Sequence, residues 1–107
     1  MEYFGETTKL TKILNDPRLR IKMFGQDRAK RIGQRLSDFE DARTLDDISR
    51  LPPSRLHLLH GDHENQFAID VGANWRMIIE GYDYQDKLTI KPSDAITISI
   101  IGIEDYH

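Results

Sequence analysis

Residues 66–81 read QFAIDVGANWRMIIEG. Two short runs rich in β-branched and aromatic residues flank a Gly-Ala-Asn turn, the pattern of an antiparallel hairpin. Side chains alternate faces along a strand, so Trp75, Met77 and Ile79 share one side, with Asn74, Arg76 and Ile78 on the other. Arg76 is then a lone cation in an otherwise apolar strand. Working outward, the two-residue period recurs in RLHLLH (55–60) and AITISIIGI (95–103). The second half of the chain reads as an antiparallel sheet of four to five strands, with residues 2–4 available to join its edge. The polar stretch 82–94 is too long for an ordinary hairpin loop and has room for a short extra strand at KLTI (87–90).

The first half carries a different period. TTKLTKILN (7–15) puts Leu10, Ile13 and Leu14 on one helical face behind threonines suited to capping, and Asn15-Asp16-Pro17 breaks it. GQDRAKRIGQRLSDFEDA (25–42) is the clearest helix, with Ala29, Ile32, Leu36 and Phe39 at three- and four-residue spacing. TLDDISRL (44–51) opens on a Thr-x-x-Asp capping pattern and stops at Pro52 and Pro53. The expected fold class is therefore α+β: N-terminal helices packed on one face of a C-terminal antiparallel sheet. With 107 residues and no linker, repeat or low-complexity tract, a single domain over 1–107 is expected.

Composition narrows the chemistry. The absence of cysteine excludes disulfides, thiolate zinc sites and cysteine nucleophiles, and agrees with a cytoplasmic location. No run approaches the roughly 20 apolar residues of a membrane helix, and the first residues lack the pattern of a signal peptide. The net charge of −3 averages two unlike halves: residues 1–56 hold 12 Lys/Arg against 9 Asp/Glu, and residues 57–107 hold 3 against 9. All four histidines, His57, His60, His63 and His107, lie in the acidic half.

Each of these residues has an ordinary reading. Arg76 can pair with Asp70, Glu80 or Asp105 instead of binding an anion. Phe67 and Trp75 suit a core, and single histidines are commonly surface residues. A metal set of His57, His60, His63 and Asp62 has suitable ligand types, but on an extended strand His57 and His60 face opposite sides. Taken together the set has a different logic. Two imidazoles, an arginine, a phenol and a carboxylate suffice to cleave RNA without a metal or other cofactor. One group takes the 2′-OH proton, another protonates the leaving 5′-oxygen, and a cation stabilises the charged transition state.

The segment LHLLHGDHENQFAIDVGANWRMII (56–79), followed by a closing EDYH (104–107), resembles the HigB-type toxins of the RelE superfamily. Members commonly carry a Leu-His-Pro-Leu-Lys-Gly-Asp segment, an Asn-Trp-Arg strand and a terminal Asp-Tyr-His. The resemblance implies a RelE-like fold and a ribosome-dependent mRNA endoribonuclease. It also implies neutralisation by a helix-turn-helix antitoxin, operator DNA being bound only through that antitoxin, and no membrane partner. By the same resemblance His57 and His107 are proton-transfer residues, Arg76 the phosphate clamp, Tyr106 a base or sugar contact, and Asp105 the residue that holds an imidazole. His60, Asn74 and Trp75 fall on the substrate-binding side. Three departures stand out: His60 replaces the usual lysine, Gln66-Phe67 replaces an aromatic pair, and 82–94 is longer and more acidic than the family hairpin. His60 and the acidic second half motivate an alternative, a catalytically weak or inactive module of the same fold that binds an antitoxin-like partner.

Overall fold

The computed structural model describes residues 1–106. Three helices and six strands occur among them: β1 (Glu2–Gly5), α1 (Thr8–Asn15), α2 (Pro17–Phe24), α3 (Gln26–Asp41), β2 (His57–Leu58), β3 (Phe67–Asp70), β4 (Trp75–Tyr82), β5 (Leu88–Thr89) and β6 (Thr97–Asp105). The class is α+β as expected. The strand order is β1-β6-β4-β3-β2, and β5 pairs with β4 at Gly81 and Tyr82.

Two expectations about the sheet need correction. It is mixed, because β1 does join an edge but runs parallel to β6 (Glu2 beside Thr97, Gly5 beside Ile100). And the helices are not the N-terminal layer: β1 precedes them, so the chain opens on the sheet, crosses over through the helices and returns. Parallel neighbours require such a crossover.

Local chemistry explains the helical boundaries. Thr7 caps α1, its side chain accepting from the Leu10 N–H at 3.0 Å. Asp16, expected only as part of a break, is also the start of α2: its carboxylate accepts from the Arg18 and Leu19 N–H groups, with Pro17 in the first turn. Gly25, at φ 82°, ends α2 and begins α3, a left-handed conformation that glycine adopts without a Cβ clash. Residues 44–51 do not form the expected helix. Thr44 caps as its sequence suggests, accepting from the Asp46 N–H at 3.2 Å, but only a 3-10 turn follows over Leu45–Asp47. Tertiary contacts override the local signal: the Leu45 N–H donates to the Ala95 carbonyl, and Leu45 and Ile48 are buried in the core.

The core lies between helices and sheet. Leu14 of α1 and Ile32, Leu36 and Phe39 of α3 pack with Phe67, Ile69, Met77, Ile79, Ile98 and Ile100. Burying a side chain of this size contributes about 1.5–3 kcal/mol. Buried Arg35 ties α3 to the following loop, its Nη1 donating to Asp38 at 2.7 Å and to Ser54 at 2.8 Å. The outward face of the sheet has its own small apolar cluster of Leu59, Ala68 and Ile78, with Ile101 against it. The loop 59–66 closes on itself, the Leu59 N–H donating to the Gln66 carbonyl at 2.8 Å. No helix among the described residues is long and apolar enough to cross a membrane.

Candidate functional site

Hairpin register sets the site. Met77 and Ile79 join the main core with Trp75 packed against it, while Ile78 belongs to the outward cluster, so the alternation read from the sequence holds. Arg76 faces outward. Its register partners are Asp70 on β3 and Glu104 on β6, which therefore lie in one row on that face. The next row is His57, Ala68, Ile78 and Gly102. With strands about 4.8 Å apart and about 6.7 Å between successive same-face residues, the His57 and Arg76 Cα atoms are about 12 Å apart. Two long side chains can meet one phosphodiester across such a gap.

A β-bulge decides which end residues share that face. β4 advances by one residue from Ile78 to Ile79 while β6 passes from Gly102 to Ile100, so Ile101 is the extra residue. Regular pairing would have turned Glu104 toward the helices. With the bulge, Arg76 donates from Nε (3.0 Å) and Nη2 (2.7 Å) to one oxygen of Glu104. Tyr106 follows the strand, tied by its N–H to the Asn74 carbonyl at 3.0 Å, and its ring lies 5.1 Å from the Arg76 guanidinium carbon. Sequence reading named Asp70, Glu80 and Asp105 as partners for Arg76 and missed Glu104. The missed signal is the change of phase from Ile98 and Ile100 to Ile103.

His57 is exposed, and its Nδ1 lies 2.7 Å from the Arg55 carbonyl oxygen. A carbonyl can only accept, so Nδ1 carries the hydrogen and the neutral ring presents the Nε2 lone pair. Beside it Arg55 pairs with Asp70 at 2.7 Å. His63 was not assigned a role with RNA, yet it reaches the site: Nε2 is 3.3 Å from Glu104 Oε1 and Nδ1 is 2.9 Å from Gln66 Oε1. Gln66 donates onward to Glu80 at 3.2 Å, and the Tyr82 hydroxyl donates to Glu80 at 3.0 Å. Burial first, and then this bond to a carboxylate, push the Tyr82 phenol above its usual range.

The remaining assigned residues are dispersed. Trp75 faces the helices, where the Arg28 guanidinium stacks 4.0 Å from its ring, and Asp105 is its register partner on β6. Asn74 is a turn residue at φ 64°, a conformation Asn tolerates better than most side chains. His60 is exposed just ahead of the short turn 61–63. His107 lies outside the described residues. β6, which carries Asp105 and leads to Tyr106, is an inner strand flanked by β1 and β4. Among the described residues no group of three His, Asp or Glu side chains is placed to hold a metal ion, so His57, His60, His63 and Asp62 do not converge.

A cleft of about 280 Å³ opens where the sheet ends, lined by Arg31, Gln34, Arg35, Asp70 and Tyr106 among others. A larger groove of about 480 Å³ lies past the C-terminal half of α3, and no assigned residue lines it. The sequence matches no protein-family model and no curated protein.

Proposed function

We propose that the protein is a metal-independent endoribonuclease that cuts mRNA on the ribosome, acting as the toxin of a toxin–antitoxin pair of the HigB type. One observation carries this reading: His57 and Arg76 share the outward face of the sheet, with the Tyr106 ring against the guanidinium. On this reading His57 Nε2 accepts the 2′-OH proton, Arg76 clamps the phosphate, and Tyr106 supports a base or sugar. His107 completes the acid–base pair by protonating the leaving 5′-oxygen. The attacking 2′-oxygen forms the new P–O bond as the 5′ bond breaks, so no redox partner or metal enters.

The test is cleavage of a defined mRNA by purified protein on translating ribosomes, with the new ends mapped. Wild type is expected to cut. Arg76→Ala and His57→Ala are each expected to lose about 10²- to 10⁴-fold, the usual range for a general acid–base group and similar to a lost charge-stabilising donor. Intact mRNA in the wild-type reaction would overturn the reading.

A helix-turn-helix antitoxin is the partner proposed with it. Ile32, Leu36 and Phe39 of α3 are buried against the sheet, so such a partner meets the outer, basic side of the helices instead. A second reading is favoured by one contact: the Glu104 carboxylate already takes two hydrogen bonds from Arg76. In that reading the chain is a non-catalytic module that only binds an antitoxin-like protein. Expression without the partner separates the two, since growth arrest that disappears in Arg76→Ala excludes the non-catalytic module.

A further inference from the structure

Five N–H bonds radiate from an arginine in one plane. At Arg76 two of them, from Nε and Nη2, converge on Glu104 Oε1. That edge of the fork is closed. The guanidinium carbon lies over the Tyr106 ring, 5.1 Å from its centre. Among the described residues no hydrogen bond from Nη1 accompanies the two to Glu104, and the end-on edge of Nη1 and Nη2 points away from that carboxylate. His63 Nε2 lies 3.3 Å from the same Oε1, a contact that is an ion pair only when the ring carries hydrogen on both nitrogens. His63 is itself fixed: Glu80 can only accept, so Gln66 turns its NH2 toward Glu80 and its oxygen toward the His63 Nδ1–H.

The geometry points to Glu104 as a positioning residue that presents the end-on edge of Arg76 to the scissile RNA phosphate. The inference rests on the nuclease reading and deepens it. A guanidinium held on one edge meets a phosphate bidentately with less freedom to lose. The opposing idea is that Glu104 competes with RNA for Arg76. The two predict opposite results when the carboxylate is removed: loss of orientation lowers turnover, whereas loss of a competitor tightens RNA binding and raises kcat/KM.

The experiment compares wild type, Glu104→Ala and Glu104→Gln. Glu104 is only partly buried, and Gln keeps an oxygen at the same place. Cleavage on translating ribosomes is expected to show kcat reduced about tenfold or more in Glu104→Ala, with KM within about twofold, and mostly restored in Glu104→Gln. A second readout needs no activity: hydrogen exchange at the Arg76 Nε–H, followed by NMR, is expected to be slow in wild type and in Glu104→Gln and fast in Glu104→Ala. Unchanged turnover in Glu104→Ala, a higher kcat/KM, or fast Nε–H exchange in the wild type overturns the inference and leaves the nuclease reading standing. A wild type that cuts no mRNA ends that reading and takes the catalytic role of Glu104 with it.

Discussion

Tyr3 sits where the first strand meets the last helix. Its hydroxyl donates to Glu40 at 2.9 Å and its ring packs 5.9 Å from that of Phe39. Burial first, and then the bond to Glu40, raise its phenol from 10.0 to about 12. The unfolded chain therefore loses this proton before the folded one does. Whatever stability the phenol contributes is whole below pH 10 and is lost as pH rises toward about 12. Denaturation followed from pH 9 upward is expected to show a steep alkaline fall, and Tyr3→Phe to make it shallower, with Tyr82 supplying part of what remains. Trp75 offers a second probe as the only tryptophan. Removing the stacked guanidinium in Arg28→Ala is expected to shift its emission to the red and to cost about 0.5–1 kcal/mol.

Among the elements, the joint between β1 and α1 tolerates least. Gly5 exchanges two hydrogen bonds with the Thr11 hydroxyl, at 3.0 and 3.1 Å, and a Cβ on Gly5 would fall 2.6 Å from the Thr11 backbone nitrogen. Backbone cannot swing aside as a side chain does. Gly5→Ala is expected to destabilise by at least about 2 kcal/mol in a denaturant titration. Asp16→Ala is expected to cost about 1 kcal/mol through the lost cap of α2, again read as a shift in the denaturation midpoint. What the sequence made legible follows the same local logic. The helical face of α3 and the two faces of β4 were readable because burial enforces a period over many residues. α2 was not, because none of its residues is fully buried and no apolar stripe marks it. Its Asp-Pro start and Gly stop were the only signs. Glu104 escaped for a different reason: one extra residue at Ile101 resets the phase, and counting along a strand assumes none. Arg76 was readable as an outward cation, but its partner depends on a pairing between distant segments that only the folded sheet fixes.

At the scale of the whole molecule, charge and core are distributed unequally. Residues 17–36 contain seven Lys/Arg and one acid, Asp27, whereas the half bearing the candidate site is acidic. Cations on the helices are therefore better placed than the site itself to draw in a polyanion, and RNA binding that they dominate falls steeply with salt. Phe39 is fully buried where α3 meets β1 and the sheet. Phe39→Ala is expected to cost about 3–5 kcal/mol, measured by thermal or denaturant unfolding.

The central place of β6 also has a temporal consequence. β6 lies between β1 and β4, so β1 leaves the ribosome well before the strand it pairs with. Until residues 97–105 have been translated the sheet has a missing middle, and the Arg76 guanidinium has neither Glu104 nor Tyr106 beside it. A nascent chain stalled before that point carries its helices and hairpin but not the assembled surface, which separates the act of synthesis from the onset of any activity that surface has.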